Sequence, residues 1–246
     1  MAEKKAIKPV DIEDKAGAVA VPEGAEPPAV ATPMVPGTVS GDFDMSDVTF
    51  PTLKIIQKMS KNPDKLDEGL ITLDNSVLVG GDKNVANIVL VSVQKEYQEV
   101  VDRDAGVFPQ RFETELEARE AGFRVARTKA DRDSGVPIVN AQAKLLVLVE
   151  QPEGATDRAF PLTIDGKRYA RARWWLQSAS YGTAGKYIFT RCNIELNNRN
   201  LLVGKWTLGS DMVNGKKGTY YNPAIRLLED ENTDAFVAEA MELLSM

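Results

Sequence analysis

The chain has 246 residues, 43% hydrophobic and 27% charged, with a mean hydropathy of -0.25 and a formal net charge of -6, which suits one large domain with appendages. It holds no histidine and one cysteine, Cys192; this excludes His-based acid–base catalysis, Ser-His-Asp and Cys-His nucleophiles, His- or Cys-rich metal sites and an intrachain disulfide. Carboxylate, lysine or hydroxyl chemistry remains, or none, and the expectation is a non-enzymatic protein with neither cofactor nor metal.

Charge is unevenly placed. Residues 1–45 carry four Lys against eight Asp and Glu, and residues 229–246 carry six acids and no base, so the stretch between them is net +4. A pI near 5.0 therefore coexists with a basic middle able to meet nucleic acid. No run approaches the roughly 18 apolar residues of a membrane span. Met-Ala-Glu-Lys-Lys leads into no apolar stretch, so no secretory signal is expected. A single cysteine fits a reducing compartment, and the expected location is the cytoplasm.

Residues 1–41 are rich in Ala, Pro, Val and Glu and show no period, which predicts a disordered acidic tail. Order is expected from Asp42-Phe43-Asp44-Met45, within one β-rich domain over 42–228. Phe50–Met59 is a short apolar segment running to Asn62-Pro63. Leu70–Leu73 and Ser76–Val79 read as short strands before a turn at Gly80-Gly81-Asp82. Asn87–Val93, β-branched and apolar, predicts a central strand continuing toward Tyr97. Thr114 and Glu117 have the spacing of a capping box that opens a helix, with Gly122 as its stop. A basic loop follows with Arg124, Arg127, Lys129 and Arg132. Ala143–Glu150 predicts a second buried strand, Phe160–Ile164 alternates, and Asp165-Gly166 signals a tight turn. Lys205-Trp206-Thr207-Leu208, Asn214-Gly215 and Thr219-Tyr220-Tyr221 suggest a closing hairpin. Short strands with one or two helices imply a β-rich α+β fold, an OB-like small barrel.

The densest functional constellation is Lys167-Arg168-Tyr169-Ala170-Arg171-Ala172-Arg173-Trp174-Trp175, followed by Tyr181, Lys186, Tyr187, Phe189 and Arg191. As a strand it places Tyr169, Arg171, Arg173 and Trp175 on one face; as a helix it makes a stripe of Arg168, Arg171 and Trp175. Its Ala, Arg and Leu content leans toward helix. Either geometry offers cations for phosphates and rings for unpaired bases. The alternative is structural, with Trp174 and Leu176 in the core and the arginines solvating one face. A second patch comprises Lys205, Trp206, Lys216, Lys217, Tyr220 and Tyr221, the lysine pair at a hairpin tip; the alternative is that the lysines only keep the hairpin soluble and Tyr220 is core. Lys54 and Lys58, four apart, could extend the same face or simply solvate it.

The C-terminal segment 229–246 places Glu229, Asp230, Glu231, Asp234, Glu239 and Glu242 beside Phe236, Val237, Met241 and Leu244. It reads either as an acidic tail competing for the basic groove and recruiting partners, or as a docked helix.

Pro51-x-Leu53-Lys54-Ile55-Ile56-Gln57-Lys58-x-Ser60, the Arg168-Tyr169-x-x-Ala172-Arg173-Trp174 segment, and Trp206-x-Leu208 with Asn214-x-Lys216-x-Gly218-x-Tyr220-Tyr221-x-Pro223 resemble small tailed-phage proteins of the single-stranded DNA-binding type over about 43–228. The resemblance implies an OB-like core with an acidic C-terminus. It also implies a setting in DNA replication or recombination. From the residues themselves, single-stranded DNA is the expected partner, replication or recombination proteins could meet the acidic C-terminus, and a homo-oligomer stays open. Two other classes stay open. A virion or interaction protein would assemble without nucleic acid. A metal-dependent nuclease would have to combine Pro63-Asp64 with Asp165-x-Lys167. Gly80-Gly81-Asp82-Lys83 lacks the spacing and the Ser/Thr of a phosphate loop.

Overall fold

The computed structural model describes residues 49–246 apart from 59, 61–65, 82–83, 103–105, 197–199, 216–217 and 246. The expectations for the tail 1–41, for order beginning at Asp42, and for Asn62-Pro63-Asp64, Asp82-Lys83 and Lys216-Lys217 lie outside those residues.

A three-stranded antiparallel sheet comes first: β1 (Leu53–Ile55), β2 (Ile71–Leu73) and β3 (Val77–Gly80). The main sheet is built on β4 (Ala86–Glu99) and β7 (Ile138–Glu150), which pair antiparallel from Ile88↔Val149 to Glu99↔Val139 with a bulge between Leu90 and Ser92. Both are the apolar runs expected to be buried strands. Short β5 (Arg111–Phe112) pairs with β4, and β6 (Arg124–Val125) runs parallel to β7. β8 (Leu162–Ile164) turns into β9 (Lys167–Leu176) through Asp165 and Gly166, whose φ values of 49° and 72° are those of a primed hairpin turn. β10 (Gly204–Gly215) and β11 (Gly218–Glu231) form the closing hairpin, so the path reads β11-β10-β4-β7-β9-β8.

Segment 167–176 is thus a strand, against its helical propensity. Eight consecutive pairings with β7, from Ala143↔Leu176 to Glu150↔Tyr169, override the local preference. The fold is β-rich α+β as expected, but the sheet does not close into a barrel, because β11 and β8 share no ladder. Residues 50–57 span the opening instead. The Arg173 N–H donates to Pro51 O at 2.8 Å, and Thr52 forms an isolated bridge with Arg173. Pro51 has no N–H to continue that ladder, and the chain then turns into β1, which pairs with β2.

Helix α1 (Glu115–Glu120) carries the expected capping box, with Thr114 and Glu117 each accepting from the other's N–H. A single turn, α2 (Lys129–Arg132), follows. On the inner face of the sheet, α3 (Ser178–Ser180), a π-turn (Tyr181–Gly185) and α4 (Lys186–Ile194) cover the main core. That core joins Ile88, Leu90, Val147, Val149, Ala172, Trp174, Ile188 and Trp206. On the outer face, α5 (Asp234–Ser245) packs Phe236 and Ala240 over Val89, Leu148 and Tyr169. β11 continues through Glu229–Glu231, so the domain runs past 228. Among the described residues no helix is long and apolar enough to cross a membrane, and no group of His, Cys, Asp and Glu could hold a metal ion.

Candidate nucleic-acid interface

Strand alternation sends Ala170, Ala172, Trp174 and Leu176 into the core and Tyr169, Arg171, Arg173 and Trp175 to the outer face. Antiparallel register adds partners from β7 in rows: Lys144 beside Trp175, Leu146 beside Arg173, Leu148 beside Arg171, and Glu150 beside Tyr169. Gln94 and Ser92 of β4 extend the first two rows. Helix α5 covers the Leu148 and Tyr169 side chains, while Arg171, Arg173, Trp175, Leu146, Lys144 and Ser92 remain half-buried and Gln94 exposed. The next row outward holds one carboxylate, Glu96, which accepts from Gln142.

Phe50 roofs the two arginines: the Arg171 guanidinium carbon lies 4.5 Å from its ring centroid and that of Arg173 5.4 Å. Such contacts hold long cations in place without neutralising them. Burial pulls the Arg171 pKa below its ordinary value, yet a guanidinium stays charged under any working condition. Arg171 Nε and Trp175 Nε1 are buried without a hydrogen-bond partner among the described residues.

Other expected contact residues stand elsewhere. Lys167 is paired with Glu150 at 2.9 Å and Arg168 with Asp157 at 3.4 Å, so both cations meet an acid of their own chain. Tyr169 is only 4% exposed, its ring edge-on to Phe236 at 5.7 Å, and burial drives its phenol pKa well up. Trp206 is 1% exposed in the core and edge-on to Tyr187 at 6.5 Å, with Arg191 over the other ring. Tyr169 and Trp206 are therefore corrected from stacking platforms to core residues, since alternation or register turns each toward a packed layer, and Tyr187 supports Trp206. Lys205 is half-buried and lines a pocket that Glu150, Asp165 and Asp230 also line. Tyr220 is half-buried near the hairpin tip, its ring against Gly215; Lys216 and Lys217 are outside the described residues. Lys54 and Lys58 are exposed. Tyr181 and Lys186 line a cleft beneath the inner face, with Lys95, Arg127 and Arg132.

The C-terminal segment is a docked helix following a strand end. Glu229, Asp230 and Glu231 are exposed on β11, and Asp234 and Glu242 are exposed on α5. Glu239 is tied down, accepting from the Asp165 N–H at 2.7 Å. Phe236 is 3% exposed, so it is not free to engage a partner, and Met241 faces solvent instead of sharing the buried stripe. Asp165 and Lys167 flank a turn and are engaged by main-chain geometry and by Glu150; Asp64 of the nuclease pattern is not described. Gly80 ends β3, and the Gly81 N–H donates to Asn84 O, the geometry of a strand-end turn.

No known protein family, curated protein or solved structure matches this chain.

Sequence reasoning missed Phe50 and Lys144. Lys144 had a signal: it interrupts an apolar strand at the parity of Leu146 and Glu150, hence on their face. Phe50 had none, because its place over Arg171 depends on a contact between segments 121 residues apart.

Proposed function

We propose that this protein is a non-enzymatic binder of single-stranded DNA, acting in replication or recombination of the kind its phage-like motifs suggest, and that the strand lies on the uncovered half of the outer sheet face. The observation that carries the reading is the convergence of Arg171, Arg173 and Trp175 with Lys144 and Phe50 on that face. Successive side chains of one strand face repeat about every 6.8 Å, a spacing that an extended strand can follow nucleotide by nucleotide. Cations on such a face neutralise phosphates, and a half-exposed indole offers a base a stacking surface worth roughly 1–3 kcal/mol. Bases within a duplex are already stacked and gain nothing from it. The exposed acids Glu229, Asp230, Glu231, Asp234 and Glu242 suit a basic replication or recombination protein as a second partner.

Photocrosslinking of a single strand substituted with iodouracil, followed by peptide mapping, tests this placement. Crosslinks at Trp175 or Phe50 are expected; crosslinks confined to the opposite face would overturn it.

An interaction module without nucleic acid is favoured by one feature, the loop that presents Phe108 at 97% and Val107 at 62% exposure.

A further inference from the structure

Two of the residues expected to touch DNA, Tyr181 and Lys186, lie away from the outer face, in a cleft of about 650 Å³. Ligand pockets commonly have this size. Its walls come from β4, β7, the 125–127 loop, α2 and the Ser178–Lys186 segment. Four cations line it: Lys95, Arg127, Arg132 and Lys186. The one carboxylate among its lining residues, Glu115, is shared by Arg119 at 2.5 Å and Arg127 at 2.7 Å. Lys95, Arg132 and Lys186 are thus left in excess, and all three are exposed. Lys95 stands 5.0 Å from the Tyr97 ring centroid, and a hydrogen bond to Tyr97 raises its pKa. Tyr181 contributes a half-buried ring set edge-on to Phe189.

The backbone here is unusual in two respects. Ser178 holds φ at 50°, a conformation that L-residues other than Asn, Asp and Gly seldom adopt. The helix then opens into a π-turn over Tyr181–Gly185, packed so closely that a Cβ on Gly185 would come within 2.8 Å of the Tyr181 ring. π-turns recur at functional sites, where they re-aim a side chain, and local strain concentrates there. In this chain the π-turn begins at Tyr181, a ring in the wall of the cationic cleft.

We infer that this cleft is a binding site for a nucleoside 5′-monophosphate, with the phosphate held among Lys95, Arg132 and Lys186 and the base against Tyr181. The nucleotide is either free or the 5′-terminal residue of a strand. The inference stands apart from the outer-face reading, since the two sets of residues lie on opposite faces of the sheet and share no side chain.

Calorimetric titrations of the whole chain with dAMP and with deoxyadenosine, and anisotropy titrations with a labelled oligonucleotide bearing a 5′-phosphate or a 5′-hydroxyl, test it. The expected result is that the phosphate matters: dAMP binds and deoxyadenosine does not, or the phosphorylated oligonucleotide binds more tightly. Arg132→Ala and Lys186→Ala should each weaken the phosphate-dependent binding about tenfold, the loss of one charge-assisted contact. Both side chains are exposed, so folding is not at stake, and Arg173→Ala should leave the effect intact. A preference limited to the oligonucleotide identifies a strand end; dAMP binding with no such preference identifies free nucleotide. If the 5′-phosphate makes no difference in either format, the inference is wrong, even where single strands still bind the outer face.

Discussion

The side-chain amide of Gln57 pairs with the main chain of Tyr221 as a neighbouring strand would: its Nε2 donates to Tyr221 O at 2.7 Å, and its Oε1 accepts from the Tyr221 N–H at 2.9 Å. One residue thus satisfies an edge of β11 that, among the described residues, has no further strand beside it. Gly69 completes the contact, at φ 84° and so close that a Cβ would lie 2.6 Å from the Tyr221 ring. The three-stranded sheet is fastened to the main one here and at Pro51–Arg173.

Gln57→Ala should therefore lower stability by about 1–3 kcal/mol, because it leaves two part-buried main-chain groups unpaired. Gly69→Ala should cost at least as much through strain and overlap. Urea denaturation monitored by circular dichroism reads both, and an unchanged midpoint for Gln57→Ala would show that the strap is not structural.

Trp206 and Trp175 should separate stability from binding. Trp206→Ala empties a fully buried site and is expected to cost about 3–5 kcal/mol. Trp175→Ala, on the half-buried outer face, should cost much less while removing the stacking surface. Fluorescence checks this further: addition of a single strand should quench the emission of the parent protein, and Trp175→Phe should abolish that quenching.

Helix α5 is held by Phe236 against Tyr169 and by Glu239 on the Asp165 N–H. Phe236→Ala should destabilise by about 3–5 kcal/mol and speed amide exchange across 234–245. Glu239→Ala should cost roughly 1 kcal/mol, the size of a single hydrogen bond. If both variants exchange like the parent, the helix is held by something else.

Burial raises the Cys192 thiol from its ordinary 9.0 to about 11. At pH 8 its thiolate fraction is roughly a hundredfold below that of an ordinary cysteine, so alkylation by iodoacetamide should be slower by about that factor in the native protein. As pH rises past 9 the unfolded chain releases this proton first. The group therefore weakens the fold between about pH 9 and 11 and leaves it unaffected below. Alkylation at the rate of a free thiol would contradict this half-buried placement.

Much of this was legible in the sequence. The apolar runs in β4 and β7, the Thr114 capping box and the Asp165-Gly166 turn announce themselves through local pattern alone. Segment 167–176 did not, because its Ala and Arg content favours helix and only pairing with β7 decides otherwise. Trp206 looked like a surface ring beside Lys205. Alternation within β10 turns one inward and the other outward, and no local feature says which. The open sheet could not be read either, since closure depends on how residues 50–57 meet Arg173 and Tyr221.

The most direct test of the binding face is fluorescence-anisotropy titration of labelled single-stranded and duplex oligonucleotides between about 50 and 200 mM salt, with Arg173→Ala and Lys144→Ala alongside the parent. Lys144, Arg171 and Arg173 as three phosphate contacts give a slope of log affinity on log salt of about -2 for single strands. Each variant should reduce it by about 0.7, and duplex should bind more weakly. Absence of single-strand binding at low salt, or a slope that neither variant changes, would contradict the outer face as the site.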